Sequence, residues 1–598
     1  MALISRKYFG PNHFWASLFI EELARCGVRH FVVAPGGQST LLVMAVDENP
    51  LTEAVVSHDE RGAAFYALGY GRAKGEPCAV ISTSGTAVAN FAPAVMEADA
   101  GKDPLLLLTA DLPEEMHDSG VNQSVEQCAM FSSYLRWSFD FSAPDKHSSI
   151  PAMLTAADQA VSRMTASHAG PVQLNCRFRP PLLLSDSPTN PSLPAALDSW
   201  AQSLQPYTTY PRSDFLPPAK EISNLSQVLA RAKRGLLLIG QLPCNTSLEP
   251  LFELIQQLGW PVLPAITSGM RFSMPSGDQL LLCVHYATYL ALESFRKGAL
   301  PDVVFHIGGD LIQHVGTEPF NNALNTYIRE SSASYIMLQS HLCRQDPLQK
   351  VSQRLTGNIE RVCEQLVKEL PKSSSQLTDL YQGAERETKR CLARFVEQQA
   401  EQRVIPALIT VLKNLPEEGG LFLANSLSIR AVDLLASTSG KNISVASHHG
   451  AKGIDGTLAA AVGFAVGLHQ VTTLVTGDIA LLHDLNSLLL AKSIKQPFVI
   501  VVINDDGGSI FSYVPASDIP QFTKYFLTPH GRTFLKAAEF FDIPYMCPED
   551  TEQFEAAYCK ALKTKGVSLI ELCVTRAEIL DSYRELFEAV HRDVAVVS

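Results

Sequence analysis

Two short acidic turns, Gly477-Asp478 and Asn504-Asp505-Asp506-Gly507-Gly508, each end an apolar run, and Asp505 follows Asp478 by 27 residues. Carboxylates and a glycine-turn carbonyl are hard oxygen donors. Asp478, Asp505 and a main-chain carbonyl from the glycine turn are the donor types that hold Mg²⁺, an ion that takes its remaining ligands from substrate phosphates and water. Either turn alone is ordinary polar turn chemistry. The spacing gives the pair its meaning, because it is about one strand–helix–strand repeat. Residues 471–475 and 498–503 are apolar and rich in β-branched side chains, while Leu481, Leu482, Leu485, Leu488 and Leu489 recur at helical spacing between them. In a parallel βαβ unit both turns fall at the carboxyl edge of the sheet, where α/β folds bind ligands. A helix beginning near Ala480 aims backbone N–H groups at an anion. The pattern predicts a metal–diphosphate site.

The rest of the chain supplies the sheet that such a site needs. An amphipathic helix is predicted over 11–26, closed by Gly27. Strands at 31–34, 79–82 and 105–109 alternate with helices, including one over 87–98. Their turns are Pro35-Gly36-Gly37-Gln38-Ser39-Thr40, Thr83-Ser84-Gly85-Thr86 and Ala110-Asp111-Leu112-Pro113. This rhythm predicts a parallel sheet with helices on both faces. Over 183–218 prolines at 188, 191, 194, 206, 211, 217 and 218 interrupt the pattern and read as an interdomain linker. A second α/β unit follows, with strands at 235–240, 303–308 and 335–339. A charged, largely helical connector over 377–411 leads to a third unit that starts at 421–424. The first and third units share one rhythm. The expected fold is therefore α/β, with three doubly wound parallel-sheet domains over 1–185, 215–365 and 400–598.

Composition narrows the classes. The 598 residues carry 48 basic and 61 acidic side chains, a net charge of −13, which argues against non-specific nucleic-acid binding. Hydrophobic residues make up 46%, enough for several cores, and no apolar run reaches membrane-spanning length. Twelve cysteines without a CxxC pair fit a reduced, cytoplasmic protein. The first residues show no signal-peptide h-region or cleavage site.

The Gly-Asp and Asn-Asp turns at this spacing resemble the cofactor motif of the thiamin-diphosphate-dependent enzymes. Two further stretches, His58-Asp59-Glu60-Arg61-Gly62 and the Thr-Ser-Gly-Thr turn at Thr83, sit where that family places its glutamate and its pyrimidine-domain turn. The likeness covers essentially the whole chain and narrows to the menaquinone-pathway members through Gly120-Val121-Asn122-Gln123, Asn425-Ser426-Leu427-Ser428-Ile429-Arg430, Gly453-Ile454-Asp455-Gly456 and Asp506-Gly507-Gly508-Ser509-Ile510-Phe511. It implies thiamin diphosphate with Mg²⁺ or Mn²⁺, and Asp478, Asp505 and Gly507 as metal ligands. Glu60 would be the catalytic carboxyl group, sharing a proton with the aminopyrimidine ring in a dry pocket. By itself Glu60 reads as a helix-start acid or an ion-pair partner. Gly477, Ala480, Thr83, Ile454, Ile510 and Phe511 would contact the cofactor, with Ile454 as the apolar wedge beneath it. Plain core packing is the competing reading for Ile454, Ile510 and Phe511. Arg430, with Ser426, would bind the distal carboxylate of a 2-oxo acid, the bidentate role that arginine suits. Without the resemblance Arg430 is a helix-face cation. Asn122, Gln123 and Gln38 would face the second substrate.

The implied reaction decarboxylates 2-oxoglutarate and adds the succinyl carbanion equivalent to isochorismate, in a homodimer or homotetramer without nucleic-acid or membrane partners. The acceptor side departs from the family. The family has a Ser-Arg pair at Gly37-Gln38, arginines at Leu112 and His449, and a Lys-Arg pair near His314-Val315. Each missing charge-assisted bond is worth about 1.5–3 kcal/mol. Two other readings therefore stand beside the first: a related carboligase or 2-oxo acid decarboxylase with another acceptor, and a non-catalytic cofactor-binding homologue.

Overall fold

The computed structural model describes residues 8–145, 147–183, 193, 195–211, 215–275, 280–312, 322–398 and 403–596. Seventeen strands among these residues form three sheets, and every strand pairing is parallel.

The first sheet contains β1 (His30–Val33), β2 (Glu53–Val56), β3 (Cys78–Ser82), β4 (Leu105–Asp111), β5 (Trp137–Phe141) and β6 (Val172–Arg177), in the order β2-β1-β3-β4-β6-β5. The second contains β7 (Gly235–Ile239), β8 (Val262–Pro264), β9 (Val303–Ile307), β10 (Ser334–Gln339) and β11 (Val351–Thr356), in the order β11-β10-β9-β7-β8. The third contains β12 (Gly420–Leu423), β13 (Ser444–Ser447), β14 (Thr472–Gly477), β15 (Phe498–Asn504), β16 (Tyr545–Met546) and β17 (Val567–Cys573), in the order β13-β12-β14-β15-β17-β16. The first and third sheets have the same strand order. The shared rhythm of the sequence thus reflects one topology used twice. The central strands are buried along their whole length, as parallel strands covered on both faces must be.

By contacts the chain divides into two compact units. One comprises Met1–Ser213, His448–His469 and His483–Ser493; the other comprises Asp214–Ser447, Gln470–Leu482 and Ile494–Ser598. In the second unit the second and third sheets share a single apolar core. In the first unit the helix Glu60–Lys74 packs on the helix Thr457–Leu468 through glycine. A Cβ on Gly69 would lie 2.0 Å from the Ala460 carbonyl oxygen, and one on Gly463 would lie 2.0 Å from that of Tyr66. Two segments that sequence rhythm places in the third domain thus pack inside the first unit, because small residues let the two helix backbones meet.

Several local expectations change. The helix over 87–98 is two pieces, Thr86–Ala89 and Ala92–Gly101. The helix expected near Ala480 begins at Asp478 and ends at His483, followed by short turns to Ala491. The break falls at buried Asp484, which accepts from Ser487 Oγ and from the Ala459 amide at 2.8 and 2.9 Å. Of the stretch read as a linker, residues 184–192, 194 and 212–214 lie outside the described residues. Residues 195–202 are not free chain. Leu197, Trp200 and Ala201 are buried in the first core, and Trp200 Nε1 donates to Glu22 Oε2 at 2.6 Å. Counting prolines missed the apolar side chains between them. The charged connector is likewise anchored: the helix Thr378–Gln398 buries Tyr381, Ala384, Leu392 and Phe395.

Candidate active site

In the third sheet the strand order reverses direction between β12 and β14, and ligands bind at the carboxyl edge beside such a point. Ser426 and Arg430 follow β12; Asp478 follows β14; Asp505 follows β15. The same point in the first sheet lies between β1 and β3, which end in the Gly36-Gly37-Gln38 turn and the Thr83 turn. Fold symmetry thus places Gln38 and Thr83 in the first sheet, and Ser426, Arg430, Asp478 and Asp505 in the third, after equivalent strands of their own sheets.

β14 and β15 pair in a register that sets Gly477 opposite Ile503, so the two acidic turns leave the sheet side by side. Asp478 is 1% exposed. Its Oδ1 accepts from the Ile479 amide at 2.6 Å, and its Oδ2 accepts from the Gly507 amide at 2.9 Å and from His530 Nε2 at 3.0 Å. Burial raises its pKa, and His530 and the two amides pull it back. Burial, with the Asp478 charge beside it, pushes Asp505 up to about 7. Two crowded carboxyl groups of this kind favour a bound cation, which would hold both ionised. Gly507 is required where it stands: its φ is +141°, and a Cβ would fall 2.1 Å from the Leu527 carbonyl oxygen. This acidic donor set, on a turn tied to Asp478, fits a hard divalent cation.

His530 is the residue that sequence reasoning missed. Its Nδ1 accepts from the Arg532 amide at 3.0 Å, which fixes the proton on Nε2 and makes the ring a donor to Asp478. Asp506 holds this loop by accepting from the His530 and Gly531 amides at 2.9 and 2.6 Å. Fifty-two residues separate His530 from Asp478, so no local pattern signals the contact.

In the helix Leu427–Leu435, which follows the neighbouring strand β12, Arg430 is 7% exposed. Its Nη1 donates to the Ser426 carbonyl at 2.6 Å, while Nε is buried without a partner. Burial lowers its pKa, and among the described residues no carboxylate offsets that effect. Ser426 is the N-cap residue of this helix with φ +71° and ψ −134°, a strained state for serine. A buried guanidinium without a counter-charge is a receptor for an anion. Gly477 ends β14 with open space beside its Cα, and Ala480 is buried in the short helix after it. Ile510 is half-buried, and Phe511 is exposed with its ring edge-on to Phe526.

In the first unit Glu60 is the first residue of its helix, capped by Asp59, and its Oε2 lies 3.4 Å from Asn90 Nδ2. Thr83 is buried against Gly36, whose Cβ would lie 2.3 Å from that of Thr83, and its Oγ1 accepts from the Gln38 amide at 3.2 Å. Gln38 spends its side-chain NH₂ on the carbonyls of Asp111 and Phe178, at 2.7 and 2.8 Å. Gln123 has φ +60° and packs on Gly85; Asn122 beside it is exposed. Ile454 is half-buried. Leu112 and His449, where the resemblance leads to an expectation of arginine, are both buried. His314 and Val315 lie outside the described residues.

Residues 15–130 match the family described as thiamine pyrophosphate enzyme, N-terminal TPP binding domain; 192–423 match the middle domain of thiamine pyrophosphate; 435–572 match the C-terminal TPP binding domain. A 2-succinyl-5-enolpyruvyl-6-hydroxy-3-cyclohexene-1-carboxylate synthase from Rubrobacter xylanophilus is 39% identical, over 96% of this chain and 98% of its own length. The synthase of the same name from Salinibacter ruber is 35% identical, over 98% and 97%. A crystal structure from Mycobacterium smegmatis, assigned to the thiamin diphosphate-dependent enzymes, shares the fold with a TM-score of 0.68 at 17% identity, over 95% of this chain and 99% of its own. The chain belongs to the thiamin-diphosphate-dependent enzymes, in the family of the 2-succinyl-5-enolpyruvyl-6-hydroxy-3-cyclohexene-1-carboxylate synthases.

Proposed function

We propose that the protein is a transferase that decarboxylates 2-oxoglutarate and joins the succinyl carbanion equivalent to isochorismate, using thiamin diphosphate and Mg²⁺ or Mn²⁺. The observation that carries this reading is Arg430, a guanidinium buried without a counter-charge among the described residues, at the switch point of the third sheet. It suits the distal carboxylate of a dicarboxylic 2-oxo acid. Asp478, Asp505 and the Gly507 carbonyl hold the cation, and His530 orients Asp478. When bound, the cofactor supplies the electron sink for decarboxylation and carbon–carbon bond formation. Glu60 holds a proton against the aminopyrimidine nitrogen. Ser426 and Arg430 orient the donor. In the second unit Gly477, Ala480, Ile510 and Phe511 would contact the cofactor and exclude water; Thr83 and Ile454 are the contacts that the first unit would offer. Asn122 and Gln123 face the acceptor, and Gln38 supports the Thr83 turn.

On this assignment residues 1–185 are the pyrimidine-binding domain, 215–365 the central domain and 400–598 the diphosphate-binding domain. The enzyme works as a homodimer or homotetramer in the cytoplasm. Among the described residues no helix is long and apolar enough to cross a membrane.

A second reading, a carboligase with another acceptor, is favoured by buried Leu112 and by the engaged amide of Gln38, where the family carries cations. One experiment separates them. The purified protein is given thiamin diphosphate, Mg²⁺ and 2-oxoglutarate, with and without isochorismate, and products are identified by mass spectrometry. A succinyl-cyclohexene adduct supports the first reading. Carbon dioxide release without the adduct supports the second, and no turnover with cofactor bound overturns both.

A further inference from the structure

At the far side of the third sheet two sulfur atoms touch. Cys547 Sγ lies 3.8 Å from Cys573 Sγ. Cys547 follows β16, a two-residue edge strand, and is exposed; Cys573 is the last residue of β17 and half-buried. Neither thiol has a part in the chemistry assigned above. β17 is also the strand that braces the acidic turn. Cys573 stands opposite Asn504, the residue before Asp505, and the Val574 amide donates to the Asn504 carbonyl at 2.9 Å. Two residues earlier, buried Glu571 accepts from Asn504 Nδ2, the Tyr545 hydroxyl and the Phe534 amide at 2.6, 2.7 and 2.8 Å.

We propose that Cys547 and Cys573 form a modification site, a dithiol that hydroperoxides convert to an intrachain disulfide, tying the ends of β16 and β17 together beside the metal-binding turn. The sulfur atoms must close by roughly 2 Å to reach the length of about 2.05 Å of a disulfide bond. The exposed end of a two-residue strand supplies that freedom. The exposed Cys547 thiolate attacks one peroxide oxygen, and the O–O bond breaks. The products are a sulfenic acid on Cys547 and an alcohol, or water from hydrogen peroxide itself, which carries away the thiol proton. The Cys573 sulfur then attacks the sulfenic sulfur and forms the S–S bond. The displaced hydroxide takes the Cys573 proton and leaves as water. In total two thiols lose two electrons and two protons, and one hydroperoxide is reduced. Burial, the Glu571 charge and the neighbouring Cys547 raise the Cys573 pKa to about 12, which makes Cys573 the resolving thiol and not the attacking one.

The test treats the full-length protein with hydrogen peroxide, blocks remaining thiols with iodoacetamide, and maps tryptic peptides without reduction. The expected product joins residues 537–560 to residues 566–576. Because the first peptide also contains Cys559, the same product must survive in Cys559→Ser and disappear on adding dithiothreitol. In Cys573→Ser, Cys547 is expected to accumulate as a sulfenic acid that dimedone traps. The proposal is overturned if peroxide leaves both thiols alkylatable, if Cys547 proceeds to sulfinic acid without the linked peptide, or if the link is lost in Cys559→Ser. None of these readouts depends on turnover or on the identity of the acceptor.

Discussion

His530 Nε2 donates to Asp478 Oδ2 at 3.0 Å, and the Arg532 amide on Nδ1 leaves the ring no other role at that nitrogen. The histidine therefore orients the proposed metal ligand from the second layer. Such contacts are worth about 10–100-fold in metal affinity. His530→Ala should weaken Mg²⁺ binding by that factor, read from metal titrations at saturating thiamin diphosphate, with little change in thermal midpoint. Unchanged affinity would remove His530 from the site.

Arg430 gives a prediction with two signs. Arg430→Met discards a buried charge that no carboxylate offsets among the described residues, so it should raise the thermal midpoint of the unliganded protein or leave it unchanged. The same variant should lose about 1.5–3 kcal/mol of binding to the dicarboxylic substrate, roughly tenfold or more in KM. A destabilised variant with normal KM would show that Arg430 is structural.

Glu60→Gln keeps the size of the side chain and removes its proton chemistry. Turnover should fall by about 10²–10⁴-fold, while thiamin diphosphate still binds with near-normal affinity. Activity within a few fold of the parent would refute the role given to Glu60.

Two glycines should respond oppositely to alanine. Gly69→Ala drives a methyl group to 2.0 Å from the Ala460 carbonyl and should cost about 1–3 kcal/mol of stability, measured by denaturant unfolding. Gly383→Ala, inside the helix Thr378–Gln398 with nothing within 4 Å of its Cβ, should stabilise by about 0.5–1 kcal/mol.

Glu22 ties stability to pH. Burial, together with Asp158, pushes it from 4.5 up to about 8. A carboxyl group whose folded pKa is raised adds stability that is fully present below the unfolded value and is lost as pH rises through the folded one. Charging Glu22 in this buried pocket beside Asp158 should accordingly cost stability between about pH 4.5 and pH 8, an effect that the Trp200 and Tyr207 donors only partly offset. Trp200 fluorescence and the thermal midpoint should both fall across that window. Glu22→Gln, which stays neutral, should flatten both profiles. A flat profile in the parent would contradict the raised pKa.

The Asp478 and Asp505 turns were legible because a parallel strand–helix–strand unit has a fixed length, so their spacing in sequence implies neighbouring strand ends in space. The register of β14 on β15 agrees with that inference. Trp200 was not legible, because the prolines around it dominate a compositional reading while its own burial depends on Glu22 and Arg25, far away in sequence. The long helix drawn through Leu481 and Leu489 failed for a related reason. Leucine spacing continues past Asp484, but that carboxylate takes the Ala459 amide and Ser487 and ends the helix.

By itself the sequence determined the alternation of strands and helices, the two acidic turns and the residue types at each strand end, because backbone periodicity and turn chemistry are local. Tertiary structure alone decided that His530 meets Asp478, that Arg430 is buried without a counter-charge among the described residues, that Gln38 is engaged by backbone carbonyls and that Cys547 touches Cys573. Burial and partnership arise between segments tens to hundreds of residues apart, and no window of sequence contains both sides of such a contact.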